Sequence, residues 1–338
     1  MIKIKVDIIG GGLGGLSAGI SLKKNNKSME VIIHEKHKKV GYNHEGRRCG
    51  EAHTIISKWV PDVPKGKSIF NTITKAETTV GKRKHKYQIE TGKGFILNRQ
   101  EYIHQLGKEA ESLGVIVLTN DKIKTFYDLD GDYIIDASGC PSLVKRELGL
   151  KKGLIGFTYQ QTLENSNCYI SDTIKVIYSD FGGYFWIFPR DPIKNEINLG
   201  VGVFQKFNYN LKEILETFKD EQKIEGDINY VTGGLIPIGL QRPLRYKNIL
   251  FVGDAGVGTY PITGQGIYRA LISGDQAGKF LAKGNPKKYA HMMNRIFIRW
   301  DLICKAYFLP NNLLNKINPK LMLTSFNYYL DFIKFAGV

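Results

Sequence analysis

Short, largely apolar runs alternate with helix-like stretches in the first part of the chain. Residues 6–9 and 31–33 are two such runs, and between them Leu16-Ser17-Ala18-Gly19-Ile20 opens a helix directly after a glycine cluster. This order predicts buried strand, turn, helix, buried strand. Residues 133–135 and 249–252 repeat the strand pattern and also run into glycine turns. Elsewhere polar and apolar positions alternate, as in Thr158-Tyr159-Gln160-Gln161-Thr162 and Ile174-Lys175-Val176-Ile177-Tyr178, which predicts strands with one buried face. Tyr184, Trp186 and Phe188 are spaced by two, so on a strand they share a face. Residues 267–280 and 292–309 read as helices, and residues 315–335 mix Leu, Phe, Tyr and Lys.

The first turn carries chemistry. Gly10-Gly11-Gly12-Leu13-Gly14-Gly15 is a GxGxxG stretch between a strand and a helix. Gly10 permits the tight turn, Gly12 lets backbone approach a pyrophosphate, and Gly15 lets helix pack on strand. The helix N-terminus offers free N–H groups and a positive dipole end to phosphate. The second strand ends at Glu35, 20 residues beyond Gly15, where this fold places a carboxylate on the ribose hydroxyls. An acid there suits a free ribose better than a 2′-phosphate, but it leaves FAD and NAD undecided.

A second strand-turn-helix stands far downstream. The apolar strand enters Gly253-Asp254-Ala255, followed by Pro261, Thr263, Gly264, Gln265, Gly266 and Ile267 at the head of a helix. Asp254 can accept hydrogen bonds from ligand hydroxyls. The N–H groups of Gly264 to Ile267 can stabilise negative charge on a reduced ring system.

Together these motifs resemble the FAD signatures of the aromatic-hydroxylase-type flavoproteins. Tyr133-Ile134-Ile135-Asp136-Ala137-Ser138-Gly139 with Ser142 resembles their DATG-xxS segment, and Phe95-Ile96-Leu97-Asn98-Arg99 matches a third family mark. Two further elements narrow the resemblance to the geranylgeranyl reductases, especially the archaeal ones. Gly183-Tyr184-Phe185-Trp186-Ile187-Phe188-Pro189, continuing through a loop to Gly200-Val201-Gly202, matches their YxWxFP…GxG element, and Arg47-Arg48-Cys49-Gly50-Glu51 resembles their cysteine-glycine stretch beside the flavin. The sequence departs from the WxWxIP element of the related flavin halogenases.

The resemblance implies an α/β fold: a Rossmann-like FAD-binding domain from residues 1–55, 95–150 and 232–285, an inserted antiparallel β-sheet substrate domain from 56–94 and 151–231, and a helical C-terminal segment, 286–338. It implies FAD contacts at Gly10, Gly12, Leu13, Gly14, Gly15, Glu35, Arg48, Cys49, Gly50, Arg99, Ile123, Ala137, Gly139, Asp254, Gly264, Gly266 and Ile267. It places Tyr184, Trp186, Phe188, Pro189, Gly200 and Gly202 along a prenyl-chain tunnel, with Cys49, Tyr184 and Trp186 as catalytic candidates. The implied reaction is hydride transfer from reduced flavin to C=C bonds of geranylgeranyl chains in a lipid or prenyl diphosphate. Its electrons come from ferredoxin or NAD(P)H. A flavin monooxygenase or halogenase, and a prenyl-binding escort protein without redox chemistry, are the alternatives. The segment of residues 119–132 and the C-terminal portion are short for the family.

Composition changes this picture little. In 338 residues, 42% hydrophobic and 24% charged residues make an ordinary folded balance. The net charge of +16 suits phosphate-bearing ligands, anionic lipid, nucleic acid or simply a solvated lysine-rich surface; nucleic-acid binding rests on charge alone and is not expected. Cys49, Cys140, Cys168 and Cys304 are scattered, with no disulfide or zinc spacing, and His34 and His37 suggest no metal site. The N-terminus does not read as a signal peptide and no run reads as a membrane span, so a cytoplasmic protein, at most peripheral to a membrane, is expected. Residues 286–338 carry eight basic and two acidic residues among many aromatics, which suits either an anionic membrane surface or packing on the protein's own core. Lys82, Arg83, Lys84 and Lys86 read as a solvated hairpin edge.

Overall fold

The computed structural model describes residues 4–41, 49–55, 58–151, 153–203 and 210–335. In chain order, the N-terminal part comprises β1 (Lys5–Ile9), α1 (Leu13–Asn25), β2 (Glu30–Glu35), β3 (Ala52–Thr54), β4 (Ile69–Ile73), β5 (Lys75–Val80), β6 (Arg83–Gln88), β7 (Gly94–Leu97), α2 (Arg99–Ser112) and β8 (Ile116–Thr119). The middle part comprises β9 (Tyr133–Asp136), α3 (Leu143–Glu147), β10 (Leu154–Glu164), β11 (Thr173–Tyr178), β12 (Gly183–Pro189), β13 (Ile197–Val203), α4 (Leu211–Gln222) and β14 (Asp227–Ile238). The rest is β15 (Arg245–Tyr246), β16 (Ile249–Phe251), α5 (Ile267–Ala282), α6 (Pro286–Ile317) and α7 (Pro319–Phe335).

A six-stranded sheet in the order β15-β16-β9-β1-β2-β8 is parallel except for the short β15–β16 edge. Its central strands are covered on both faces, which is why β1 and β9 read as apolar runs rather than alternating ones. Val6, Ile8, Ile33 and Ile135 are fully buried in the core shared with α1, α2 and α5. Helices α1 and α5 touch almost backbone to backbone. Ser17 Oγ donates to the Leu271 carbonyl at 2.8 Å, and Ser21 Oγ to the Asp275 carbonyl at 2.7 Å. Each helix begins at one of the two glycine turns, so this packing fixes the separation of the turns.

A seven-stranded sheet runs β14-β10-β13-β12-β11-β5-β6, and β3, β7 and β4 form a small third sheet. The larger of these is antiparallel with one exception that sequence reading missed. Strands β5 and β11 pair in parallel, because β5 enters from the earlier 56–94 segment instead of by a hairpin from β11. One face of this sheet, with Phe185, Ile187, Leu199 and Val201, packs on α4, where Phe185 stacks on Phe218 at 3.9 Å between ring centroids. The other face carries Tyr184 and Trp186 and turns toward the parallel-sheet unit.

The C-terminal helices pack on the protein. Buried Phe326 of α7 lies 4.3 Å from the Tyr178 ring and joins Tyr184, Trp186, Val80 and Ile262 in one cluster. The β5–β6 hairpin is more than a solvated edge. Arg83 pairs with Asp331 at 2.8 Å, and His85 shares a hydrogen bond with Asn327 of α7. Basic residues there hold the last helix over the aromatic face. Among the described residues, no helix is long and apolar enough to cross a membrane.

Candidate functional site

At the first turn, Gly10 has φ +104° and its N–H donates to the His34 carbonyl at 2.9 Å. A side chain at Gly15 would run into the Gly10 carbonyl well under 3.0 Å away, whereas a Cβ at Gly12, the N-cap of α1, would meet nothing within 4 Å. Leu13 and Gly14 begin the helix itself and are buried. The turn is therefore tight where helix meets strand and open above Gly12, where a pyrophosphate would approach. Glu35 Oε2 accepts the Gly11 N–H at 2.8 Å, and Oε1 accepts from the His37 backbone at 2.9 Å. That carboxylate braces the turn.

Beside it, β9 ends in buried Asp136, which accepts from the Ser138 N–H at 3.0 Å and from Ser142 Oγ at 2.5 Å. This shapes the Ala137–Gly139 loop against Gly10, with Gly139 at φ +89° and open space beside it. Ile123 packs in the apolar cluster of Ile9, Ile134 and Phe251 against the central strands of the sheet. His34 and His37 each have carboxylate neighbours. His34 sits between Asp121 at 2.7 Å and Asp7 at 3.1 Å, and His37 meets Glu35 at 2.6 Å. No group of three or more such residues converges on a metal position among the described residues.

At the second turn, Asp254 follows β16 and lies beside Gly266, the N-cap of α5, with Ile267 as its first residue. Burial pushes the Asp254 carboxyl up, against the guanidinium groups of Arg99 and Arg269. Arg99 heads α2, whose N-cap Asn98 accepts the Glu101 N–H at 3.3 Å. The Arg99 Nε is buried without a hydrogen-bond partner, as is Thr263 Oγ1 in the loop before α5. Orphaned polar atoms at this depth are costly unless a ligand completes them. Together with the open space above Gly12, they fit a long dinucleotide reaching from one turn to the other.

The aromatic column of β12 touches both this turn and the Cys49–Gly50 segment. Tyr184 OH donates to the Thr263 carbonyl at 3.1 Å, and a Cβ on Gly264 would stand 2.7 Å from that hydroxyl oxygen. Burial raises the Tyr184 phenol, so it stays neutral. A Cβ on Gly50 would come within 3.0 Å of the Phe188 ring and 3.7 Å of the Trp186 indole nitrogen. Pro189 ends the column, and its carbonyl accepts from Asn71 at 3.4 Å. Gly200 and Gly202 lie within β13, opposite Trp186 and Tyr184 respectively. A Cβ on Gly200 would overlap the indole, well under 3.0 Å from Cζ2 and Cε2. The GxG element thus lets a tryptophan lie flat across its neighbouring strand.

Cys49 accepts the Glu51 N–H on Sγ at 3.2 Å, and burial pushes its thiol up, partly offset by the nearby Arg99 guanidinium. The thiol therefore stays protonated at neutral pH. Arg48 lies outside the described residues. Sequence reading missed the polar support beneath this segment. Glu51, with φ 62°, holds Arg190 through a 2.6 Å ion pair, and Arg190 also pairs with buried Glu196. His53 is buried with both ring nitrogens unpartnered, and burial lowers its pKa to about 4. The one sequence signal for these groups is that Arg190 directly follows the aromatic strand 183–189.

The family described as "NAD(P)-binding Rossmann-like domain" matches residues 8–72, the first turn and its surroundings. That turn serves FAD and NAD(P) alike, so the choice rests on the rest of the chain. A digeranylgeranylglycerophospholipid reductase of Thermoplasma volcanium is 27% identical over 314 residues, covering 80% of this chain and 76% of its own length. The solved structure of a geranylgeranyl bacteriochlorophyll reductase-like protein from Thermoplasma acidophilum superposes with TM-score 0.80 at 22% identity, over 95% of this chain and 90% of its own. In sequence the chain is thus similar to digeranylgeranylglycerophospholipid reductases, and in fold to a geranylgeranyl reductase-like protein. A flavin-dependent brominase shares the fold more distantly, with TM-score 0.70 and 16% identity over 96% of this chain and 90% of its own.

Proposed function

We propose that this chain saturates carbon–carbon double bonds of geranylgeranyl chains in isoprenoid membrane lipids or their precursors. One observation carries the reading: the aromatic column of β12 meets the Gly264 turn at Tyr184 and the Cys49–Gly50 segment at Trp186 and Phe188. An apolar wall therefore stands where two cofactor-facing segments meet.

When bound and reduced, FAD supplies a hydride from its N5. The protein does the rest. The Gly12–Gly15 turn and the α1 N-terminus would hold the pyrophosphate, Glu35 the ribose, and Arg99 and Asp254 the middle of the cofactor, while the α5 N-terminus would stabilise negative charge gained on reduction. Tyr184, Trp186 and Phe188 line the prenyl chain and exclude water. An unactivated alkene needs an acid as well as a hydride donor. Cys49, whose thiol burial holds protonated at neutral pH, would supply that hydrogen. The π faces of Tyr184 and Trp186 favour cationic character on the second carbon by about 2 kcal/mol in a dry site. Electrons come from an external carrier, ferredoxin or NAD(P)H. Helix α7 roofs the aromatic face and exposes Leu321 and Tyr328 outward, which suits contact with a lipid surface.

The test is mass spectrometry of a digeranylgeranyl glycerophospholipid incubated anaerobically with chemically reduced, FAD-loaded protein. The reading predicts a gain of two hydrogens for every bond saturated. A lipid recovered with all double bonds intact refutes it.

A further inference from the structure

Three strands place their side chains in rows across the face that carries the aromatic column. Thr158, Gly202 and Tyr184 form one row, Gln160, Gly200 and Trp186 the next, and Thr162, Asn198 and Phe188 the third. In the middle row the central residue has no side chain, and the two flanking ones reach across it to each other. Trp186 Nε1–H donates to Gln160 Oε1 at 3.2 Å. The Gln160 amide nitrogen donates to Asn198 Oδ1 at 3.2 Å and to the Cys49 carbonyl at 3.4 Å. Asn198 in turn donates to the Cys49 carbonyl at 3.2 Å, to the Gly50 carbonyl at 3.4 Å and to Glu51 Oε2 at 3.3 Å, while its Oδ1 accepts from Thr162 Oγ1 at 2.9 Å. Gln160 is 3% exposed and Asn198 is fully buried.

We propose that Gln160 and Asn198 are a positioning pair that locks the Trp186 indole and the Cys49–Gly50 segment into one unit, and so sets which double bond of the substrate lies at the reacting edge. Aromatic contacts alone do not fix the indole. Its neighbours Tyr184 and Phe188 are tilted rings at centroid distances of 5.7 and 6.5 Å, and Gly200 beneath it offers a flat floor on which it can slide. The directional constraint is its one N–H, and among the described residues that N–H donates to Gln160. The same amide holds the Cys49 carbonyl, so a shift of the indole and a shift of the thiol-bearing segment are coupled. A polar pair at full burial is expensive unless all its atoms are satisfied, and here each amide is used on both sides.

This inference rests on the reductase reading, and its test separates the two. The FAD-loaded protein would be made as Gln160→Leu, Trp186→Phe and the double variant. In wild type, 15N NMR of the three tryptophan indoles should show the Trp186 N–H, assigned by its loss in Trp186→Phe, strongly protected from hydrogen exchange. In Gln160→Leu that exchange should accelerate at least about tenfold. Each single variant should shift the distribution of saturated positions and lower kcat/KM about tenfold, the rate equivalent of one or two lost buried hydrogen bonds. The double variant should be no worse than the weaker single one, because both remove the same link. Unchanged indole exchange, or effects that add, would overturn the pairing. If Gln160→Leu fails to take up FAD, Trp186→Phe decides alone: an unchanged product distribution overturns the inference. Wild-type protein that reduces nothing would count against the function instead, with the indole exchange still readable.

Discussion

Replacing Gly200 by alanine should disturb the site far more than its single added methyl suggests. The new Cβ would fall inside the Trp186 indole, well under 3.0 Å from Cζ2 and Cε2, while ordinary carbon contacts lie near 3.5–4.0 Å. The ring must therefore move by roughly 1 Å or more, and it cannot do so without releasing Gln160. Forced overpacking of a buried site costs about 1–3 kcal/mol, and the lost hydrogen bond adds about 1 kcal/mol. Removing a strand glycine returns about 0.5–1 kcal/mol through the unfolded chain, so the net loss should be about 1–3.5 kcal/mol. Gly202→Ala is the internal control. Its Cβ would meet Trp186, Thr158 and Tyr184 at 3.4 to 3.5 Å, close to ordinary contact, so it should change stability by less than about 1 kcal/mol. Urea unfolding of the two FAD-loaded variants, with the slope checked for constancy, measures both. Equal stability of Gly200→Ala and Gly202→Ala would show that the indole does not lie across β13.

Other perturbations separate binding from folding. Gly12→Ala should cost under about 1 kcal/mol of stability yet weaken FAD retention, whereas Gly15→Ala, whose side chain meets the Gly10 carbonyl, should cost about 1–3 kcal/mol; thermal melts with and without added FAD distinguish them. Asp301→Ala removes the carboxylate paired with fully buried Arg269, which keeps the Val257 carbonyl at 2.7 Å and the Phe297 ring at 4.3 Å, and should lose about 3–5 kcal/mol by denaturant unfolding; a loss below about 1 kcal/mol contradicts the buried pair. Burial opposes charge on His34, but its hydrogen bonds to Asp7 and Asp121 outweigh that and hold its pKa above the ordinary value. A raised folded pKa gives a contribution that is fully present below about 6.5 and is lost as pH rises through the folded value. Denaturation midpoints across that window should therefore fall more steeply for wild type than for His34→Gln, and parallel curves refute the assignment.

Both glycine turns were legible because their chemistry is local. The spacing of Gly10, Gly12 and Gly15 alone predicts a tight turn, an open approach and a close helix contact, and the backbone geometry has each feature at those positions. The alternation of Tyr184, Trp186 and Phe188 likewise fixes a shared face on β12. What could not be read depends on pairings between distant segments. The register that sets Gln160 opposite Gly200 and Gly200 opposite Trp186 joins three strands with no sequence signature for one another. The parallel β5–β11 pairing and the docking of Arg83 on Asp331 are of the same kind. Glu51 and Glu196 are buried in the fold beside half-buried Arg190, which pairs with both across segments far apart in sequence.

The most direct test of the account is an anaerobic single-turnover absorbance measurement on the reduced, FAD-loaded protein. Adding a geranylgeranyl lipid should restore the oxidised flavin spectrum with one double bond lost per flavin, and a fully saturated lipid should leave the flavin bleached. A flavin that stays reduced with the unsaturated lipid, and is reoxidised only when oxygen is admitted, would contradict it.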